Sequence, residues 1–242
     1  MSKQVVLIPT YNESGSIIEL LQELQNIDID VIVIDDDSPD KTAQMVKQSD
    51  FPNVRVIDNG RKKGIGSAYL AGITLALQDD YEFIATMDAD GSHLVRNLQE
   101  MLLVSQSSDV VMGTRWIDGG SVTNWSFHRR LLSELGTWYA RKALSLPYRD
   151  LTGGLRVYRS CVLSQLNLSL IRSNGYCFQI EMIRAVSMLG VRIKEFPIQF
   201  IEREQGKSKM SRSIVIEAFY RVSVWGLRSL LGVNADKLHY VK

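Results

Sequence analysis

The sequence contains little cysteine, proline or histidine: two, five and three residues among 242. Cys161 and Cys177 are too few for a disulfide framework or a four-cysteine zinc site, which favours a reducing compartment. No uncharged apolar run reaches the ~18 residues of a membrane-spanning helix. Neither sign of charge dominates, because the net charge is +1, and this excludes a nucleic-acid binder that works by bulk charge.

The composition otherwise suits one soluble globular domain with a short appendage, since 45% of residues are apolar and 23% are charged. The N-terminus has no signal-peptide pattern. The segment from Arg203 to Lys242 carries eight Lys or Arg and three Asp or Glu, so it is basic. We therefore expect a cytoplasmic protein that is peripheral at the cytoplasmic face of a membrane, although a solvated helix face would explain the basic segment equally well.

Apolar runs and helical periodicities alternate along the first half of the chain, which predicts a doubly wound α/β fold with a mostly parallel central sheet flanked by helices. Ser16 with Glu19 predicts a capping box for the first helix. Predicted strands are 4–8, 31–34, 54–57, 82–87, 109–112, 155–159, 191–195 and 198–202. Predicted helices start after Ser16 and cover 41–49, 65–78, 127–145, 160–166, 176–189 and 212–231.

Carboxylates follow three of the predicted strands: Glu13, the run Asp35–Asp37, and the pair Asp88 and Asp90. Ligands of open parallel sheets bind at the carboxyl ends of the strands, so these groups should meet at one edge. Acidic loops would repel an anionic ligand unless a cation lay among them. The pair Asp88 and Asp90 therefore predicts a site for Mg²⁺ or Mn²⁺ that bridges to a substrate diphosphate.

Six motifs together resemble the GT-A family 2 glycosyltransferases, and among them the polyprenol-phosphate (dolichol-phosphate) mannose synthases. The resemblance covers roughly residues 4–220 and rests on the order and spacing of the motifs. They are Pro9-Thr10-Tyr11-Asn12-Glu13, Asp35-Asp36-Asp37-Ser38-Pro39-Asp40, Met87-Asp88-Ala89-Asp90, Gly113-Thr114-Arg115, Asp150-Leu151-Thr152-Gly153-Gly154 and Gly206-Lys207-Ser208-Lys209.

The resemblance implies a Rossmann-like nucleotide-sugar-binding domain over 1–211, followed by an amphipathic helix and tail over 212–242. It also implies roles by position. The metal ligands are Asp88 and Asp90; the acceptor-binding residues are Arg115, Arg129 and Ser133; the catalytic set is Asp90, Arg115, Arg129 and Asp150. The donor-binding residues are Pro9, Tyr11, Glu13, Val33, Asp35, Asp88, Ala89, Asp90, Arg115, Arg203 and Lys209, the last two on a loop that closes on the donor.

By the same resemblance the reaction is an inverting transfer of mannose from GDP-mannose to a polyprenyl phosphate. A phosphate monoester is largely a dianion at neutral pH, because its second pKa is about 6, so the acceptor needs no general base. We therefore expect Asp150 to organise the site, with a direct catalytic role left open. Implied partners are the sugar nucleotide, the lipid, the membrane surface and, as an open alternative, a membrane-anchored subunit, but no nucleic acid.

The sequence departs from the family pattern in three places. Asp37 and Lys41 stand where glycine is common, which predicts a changed turn, and Ser92 replaces a longer polar ligand, which leaves the number of metal ligands open. Two other functions stay open: transfer from UDP-glucose or another sugar nucleotide to the same lipid, and a non-catalytic nucleotide-sugar-binding subunit. A nucleotidyltransferase would need a Gly-rich, Lys-bearing N-terminal signature that the sequence lacks.

The last predicted helix has a narrow polar stripe of Glu217, Arg221 and Arg228 and a wide apolar surface. Such a helix packs into its own core, lies in the bilayer interface with Trp225 as an anchor, or docks on a membrane partner. The neighbouring Lys207 and Lys209 favour anionic lipid.

Overall fold

The computed structural model describes residues 3–202, 212–231 and 240. Arg203 and Lys209, which the family pattern places on the closing loop, lie outside the described residues. The described strands are β1 (Gln4–Thr10), β2 (Asp30–Asp35), β3 (Val54–Asp58), β4 (Phe83–Thr86), β5 (Val110–Thr114), β6 (Ser121–Thr123), β7 (Arg156–Arg159), β8 (Ile193–Pro197) and β9 (Gln199–Ile201). The described helices are α1 (Ile17–Leu24), α2 (Thr42–Gln48), α3 (Ile65–Gln78), α4 (Val95–Ser105), α5 (Phe127–Leu144), α6 (Ser160–Leu163), α7 (Gly175–Ser187) and α8 (Arg212–Leu230).

A seven-stranded sheet in the order β3-β2-β1-β4-β7-β5-β8 forms the centre of the protein. Its pairs are parallel except where β7 lies antiparallel between β4 and β5. Strands β6 and β9 pair in parallel as a separate ribbon. The predicted α/β fold with a mostly parallel sheet is confirmed.

The strand register places the chemistry at one edge of this sheet. Thr10 at the end of β1 pairs with Asp35 at the end of β2, and Asp35 pairs with Asp58 at the end of β3. Strand β4 lies on the other side of β1 and leads directly into Asp88. The carboxyl ends of four strands therefore bring the acidic loops together, as a parallel arrangement requires.

Helices cover both faces of the sheet, and this is why the strands are apolar along their length. Helices α1 and α4 pack on one face through residues such as Leu21 and Leu98. Helices α3 and α7 pack on the other face through Ile73 and Met182. A third apolar cluster joins β5 to α5, α7 and α8 and contains Trp225.

Three sequence expectations need correction. Helix α4 and strand β6 were not predicted, although Val95, Leu98, Met101 and Leu102 are buried at helical spacing. The capping box at Ser16 is wrong, because the Ser16 hydroxyl donates to the carbonyl oxygens of Ala89 and Glu13 rather than capping α1. Ser16 thus ties the start of α1 to the carboxylate loop after β4.

The last helix buries one side and exposes another. Val222 and Trp225 are buried, and the Arg184 guanidinium lies 5.3 Å from the Trp225 ring. Of the three placements left open for this helix, the burial of Trp225 agrees with packing into the protein's own core. Within the described part of the chain, none of the helices is both long and apolar enough to cross a bilayer.

Candidate active site

Asp88 and Asp90 lie just past β4, and both side chains are half-buried while Ala89 between them is buried. The charges of both carboxylates act on the hydroxyl of Tyr69, so the two groups lie near one another. Asp90 accepts hydrogen bonds from the amide and the hydroxyl of Ser92, at 3.2 and 2.5 Å. Ser92 is buried, so it acts as a tether for Asp90.

Three neighbours restrict the position of Asp88. The Tyr69 hydroxyl of α3 donates to Oδ1 at 3.1 Å, and His93 Nε2 lies 3.4 Å from Oδ2. On the third side, a Cβ on Gly154 would lie 3.0 Å from Oδ2. Burial and then the charge of Asp88 hold the pKa of Tyr69 well above its usual value, so this hydroxyl remains a donor.

The donor set around Asp88 and Asp90 fits a divalent cation that is completed by substrate. Carboxylate oxygens are the ligands that Mg²⁺ and Mn²⁺ prefer. Among the described residues there is no group of three or more His, Cys, Asp or Glu side chains placed to hold a metal ion. Phosphate oxygens and water would therefore supply the remaining ligands, as is common for Mg²⁺ at diphosphates.

Arg115 and Asp150 form a buried ion pair behind the carboxylates. Arg115 Nε and Nη2 donate to the two oxygens of Asp150 at 2.6 and 2.8 Å, and the side chains are 5% and 0% exposed. Burial alone would raise the pKa of Asp150, but the charge and hydrogen bonds of Arg115 outweigh it, and the pKa is lowered. Asp150 also accepts from the amides of Thr152 and Gly153, so its oxygens are fully used.

This pairing makes Asp150 a positioning residue for Arg115. A fully buried, ionised carboxylate that is already hydrogen-bonded is poorly placed to take a proton from a substrate. The pairing uses Nε and Nη2 of Arg115, which leaves Nη1 as its remaining donor group. The sequence expectation that Asp150 organises the site agrees with this geometry.

Three aromatic rings surround the guanidinium of Arg115. The rings of Trp116, Trp125 and Phe200 each have their centroid 5.3 Å from it. Arg129 of α5 lies 4.3 Å from the Trp125 centroid, so two guanidinium groups flank one indole. The structure therefore brings the predicted acceptor residues Arg115 and Arg129 together, and Ser133 follows one helical turn after Arg129.

Arg129 also forms an ion pair with Glu202, through Nη1 and Oε1. Both side chains are partly exposed, at 22% and 33%. An anion arriving at Arg129 would compete with the Glu202 carboxylate for the same donor. Glu202 directly precedes the closing loop that the family pattern assigns to 203–209.

The other end of the site is formed by the loops after β1 and β2. Lys62 Nζ lies 3.8 Å from the ring centroid of Tyr11. Asp35 is buried and accepts from the Thr10 hydroxyl at 2.7 Å and from the amide and hydroxyl of Ser38. Pro9 and Glu13 are half-buried beside them. Tyr11 and Glu13 lie where a nucleoside could be held, whereas Asp35 mainly shapes the loop.

Two further expectations at this end concern Val33 and the turn at Asp37 and Lys41. Val33 is fully buried in β2, on the sheet face that packs against α1 and α4, and its assignment to the donor stays a prediction. Asp37 and Lys41 have φ angles of +60° and +63°. The left-handed backbone that glycine would supply is present at both positions.

Several residues of the site were missed by sequence reasoning. Lys62 belongs to the basic run Arg61-Lys62-Lys63 between two glycines, a pattern that could have indicated an anion-binding loop. The carboxylate of Asp36 holds this loop by accepting from the amides of Lys63 and Gly64. The other missed residues are Trp116 and Trp125, which are close in sequence to Arg115 and Arg129, and Tyr69, His93, Phe200 and Glu202, which reach the site only through tertiary contacts.

A parallel sheet with paired carboxylates at its carboxyl edge and an arginine site beside them defines a GT-A type glycosyltransferase fold. The family model described as Glycosyl transferase family 2 matches residues 5–166, and the chain belongs to that family. The predicted family and enzyme class are thereby confirmed.

Two curated relatives match almost the whole chain. The undecaprenyl-phosphate mannosyltransferase of Micrococcus luteus is 41% identical over 227 residues, which cover 92% of this chain and 93% of the relative. The polyprenol monophosphomannose synthase of Mycolicibacterium smegmatis is 38% identical over 235 residues, which cover 95% and 89%.

Solved structures support the fold. Glucosyl-3-phosphoglycerate synthase from Mycobacterium tuberculosis, in complex with Mn²⁺, UDP and glucosyl-3-phosphoglycerate, superposes with a TM-score of 0.63. It is 17% identical, and the match covers 94% of this chain and 79% of that one. GalNAc-T7 with UDP, GalNAc and Mn²⁺ gives a TM-score of 0.58 at 16% identity, covering 91% of this chain and 48% of that one.

Proposed function

We propose that this protein transfers mannose from GDP-mannose to a polyprenyl phosphate, giving polyprenyl-phosphate β-mannose and GDP. The observation that carries the proposal is the pair of arginines, Arg115 and Arg129, that flank Trp125 beside the carboxylate loop. The names of the two curated relatives support the same acceptor and the same sugar.

The chemistry of the acceptor suits the surroundings of Arg115. A phosphate monoester is largely a dianion at neutral pH, so its oxygen attacks the sugar carbon without a general base. Asp150 is buried and ionised by its pairing with Arg115, which agrees with a site that needs no base. A single displacement by this oxygen inverts the configuration at the sugar carbon.

Arg129 would give up its ion pair with Glu202 and then hold the acceptor phosphate. A guanidinium offers paired donors that match a phosphate, and the neighbouring indole keeps its plane oriented. Arg115, fixed by Asp150 and Thr152, would add a second positive charge without moving. Together they would align the attacking oxygen with the sugar carbon.

On the donor side, Tyr11 and Glu13 would hold the nucleoside, and Asp88 and Asp90 would hold Mg²⁺ or Mn²⁺. Such an ion supplies positive charge that stabilises the leaving diphosphate. Tyr69 and His93 keep the Asp88 carboxylate in place, and Ser92 does the same for Asp90. We further propose that the loop bearing Arg203 and Lys209 closes on the donor.

A panel of sugar nucleotides assayed against one polyprenyl phosphate tests the donor. We expect GDP-mannose to give the highest kcat/KM and a β-linked product by NMR. A preference for UDP-glucose would overturn the donor assignment, and binding of sugar nucleotides with no turnover would instead identify a non-catalytic subunit.

Arg129→Ala tests the acceptor site. Loss of a charged hydrogen bond should reduce acceptor affinity about ten- to a hundred-fold, while the Kd of GDP-mannose measured by calorimetry stays within about two-fold. Lys47→Gln, which removes an exposed cation on α2, should change neither value. Equal losses for donor and acceptor would show that Arg129 is structural.

Chelation tests the metal. Turnover should stop in EDTA and return with Mn²⁺ or Mg²⁺, and Asp90→Ala should stay folded but inactive. Full turnover in EDTA would contradict the assignment of Asp88 and Asp90 as metal ligands. We also propose peripheral binding at the cytoplasmic face of a membrane, where the acceptor lies, with or without a membrane-anchored subunit.

A further inference from the structure

A second pocket lies beside α5, on a different side of the helix from the acceptor residues. Its cavity volume is about 410 Å³. At 100° per residue, its residues from α5 fall within about 100° of one another, next to the face that carries Arg129 and Ser133. Its lining residues are Arg115, Trp116, Ile117, Asp118, Gly120, Arg130, Glu134, Thr137, Trp138, Arg141 and Arg149.

Three buried polar atoms of this lining lack a hydrogen-bond partner within the described residues: Trp116 Nε1, Thr137 Oγ1 and Arg141 Nε. Thr137 is only 3% exposed. Buried polar groups are almost always hydrogen-bonded, since leaving one unpaired is costly. Three such atoms in one lining leave hydrogen-bonding capacity that the described residues do not fill.

The charges of the lining favour an anion. Four arginines and two carboxylates face the cavity. Arg115 is engaged by Asp150 and Arg130 by Glu134, whereas Arg141 and Arg149 have no carboxylate partner within the described ranges 3–202 and 212–231. Guanidinium groups next to a hydroxyl and an indole N–H match the oxygens of a phosphate.

An exposed apolar stripe borders the pocket on the same helix. Phe127, Leu131, Leu135 and Trp138 are 73%, 41%, 53% and 57% exposed, and they share the face next to Arg141. A phosphate held in the pocket would place any attached acyl chains over this stripe. A stripe of this kind with cations beside it is typical of a helix at a bilayer interface.

We propose that this pocket binds the phosphate headgroup of an anionic phospholipid, as a site that adjoins the acceptor site at Arg129 and shares Arg115 with it. The bound lipid anchors α5 to the membrane and sets the height of Arg129 relative to the headgroups. This site goes beyond the proposed reaction, because the bound phospholipid is neither the donor nor the acceptor. Its binding can therefore be measured without a sugar nucleotide and without turnover.

Vesicle flotation with variants tests the pocket. We expect the protein to bind phosphatidylcholine vesicles that contain phosphatidylglycerol and to ignore pure phosphatidylcholine. Arg141→Gln should lower the affinity about ten-fold, and Thr137→Val, which removes no charge, should lower it about three-fold or more. Lys142→Gln is the matched control, since it removes a neighbouring charge of α5 outside this lining. Equal losses for Arg141→Gln and Lys142→Gln with no loss for Thr137→Val would show attraction by bulk charge and overturn the site.

A measurement on the wild-type protein covers the case in which a variant fails to fold. Amide hydrogen exchange with dispersed short-chain phosphatidylglycerol should show protection at 115–120 and 130–141, and phosphatidylcholine should give none. Protection by inorganic phosphate alone at equal concentration would assign the pocket to a free anion and overturn the lipid. The Kd of GDP-mannose should be the same for Arg141→Gln and wild type. A loss of lipid binding with unchanged donor binding would then concern this pocket and not the proposed reaction.

Discussion

The carboxylate of Asp88 has little freedom, because Tyr69 donates to one oxygen, His93 Nε2 lies 3.4 Å from the other, and Gly154 packs against its third side. Gly154 sits in the loop just before β7, and the Thr86 hydroxyl donates to its carbonyl oxygen at 2.7 Å. The absence of a side chain at residue 154 is therefore part of the site. Glycine at residue 154 leaves space for the Asp88 carboxylate, which a Cβ would crowd.

Gly154→Ala should displace the Asp88 carboxylate, since the new Cβ would lie 3.0 and 3.1 Å from its oxygens. We expect turnover to fall at least ten-fold, because small displacements of a positioning group are costly. Gly136→Ala on α5 is the control: its Cβ would meet nothing within 4 Å. That variant should keep full turnover and gain about 1 kcal/mol of helix stability. Equal turnover for the two variants would contradict this account of Asp88.

The ion pair of Arg115 and Asp150 links the site to stability. The lowered pKa of Asp150 means that its stabilising contribution is complete above its unfolded pKa, about 3.9, and is lost as the pH falls through the lower folded value. At neutral pH, removal of the carboxylate charge leaves Arg115 buried without its counter-charge.

Asp150→Asn should lower the free energy of unfolding by about 3–5 kcal/mol between about pH 5 and pH 8. The difference from wild type should begin to shrink below about pH 4, where Asp150 of the unfolded chain becomes protonated, and should shrink further as the pH falls through the lower folded pKa. Urea unfolding at several pH values measures this. A difference that stays constant down to the acid limit would show that the loss comes from packing and not from charge.

At the scale of elements, α2 begins at a non-glycine residue whose backbone is left-handed, a conformation that costs free energy. Lys41, its N-cap residue, has a φ of +63° and makes no side-chain capping hydrogen bond. Thr42 and Asp40 close this turn instead, through a hydrogen bond from the Thr42 hydroxyl to Asp40 Oδ1 at 2.5 Å. The turn therefore persists with lysine at a position that favours glycine.

Lys41→Gly should raise the free energy of unfolding by about 0.5–1 kcal/mol, because relief of the left-handed strain exceeds the added entropy of the unfolded chain. Lys47→Gly, inside the same helix, should lower it by about 1 kcal/mol. Opposite signs in urea unfolding would support the backbone argument. A loss at both positions would refute it.

Helix α5 presents several faces to different surroundings. Arg129 and Ser133 lie on the face of the proposed acceptor site, Arg141 and Thr137 line the second pocket, and Tyr139 stacks on Phe219 of α8 with ring centroids 4.6 Å apart. The exposed stripe that begins at Phe127 forms the remaining face. This division of one helix explains why its sequence shows weak amphipathicity.

At the scale of the whole molecule, α8 belongs to the core of the domain as much as it forms an appendage. Trp225 is 7% exposed and lies in one cluster with Met112 of β5 and Ile183 of α7. Gly226 lets α8 approach α5 closely, since a Cβ there would lie 2.7 Å from the carbonyl oxygen of Ala143. The structure therefore packs α8 into the core of the domain. The division of the chain at residue 211 stays a prediction.

Trp225→Ala should lower the free energy of unfolding by about 3–5 kcal/mol, as expected for loss of a large buried side chain. Unfolding should remain one transition, with circular dichroism and fluorescence coincident. Leu230→Ala, at an 84% exposed position, should change stability by less than about 0.5 kcal/mol. Separate transitions for the two probes would show that 212–242 unfolds independently.

The amino-acid sequence by itself determined the fold class, because apolar runs such as 31–34 and helical periodicities such as 65–78 are local signals of buried strands and amphipathic helices. It also determined the family and the carboxylates at the ends of strands, since Asp88 and Asp90 lie at fixed short spacing after β4.

Only the tertiary structure decided which groups meet around those carboxylates. Phe200 reaches Arg115, and Glu202 reaches Arg129, from a segment more than about 70 residues further along the chain, and no local pattern encodes such contacts. Only the tertiary structure likewise showed that Val33 is buried. A buried strand residue and a strand residue near a ligand look alike in sequence, and burial depends on which helices cover the sheet.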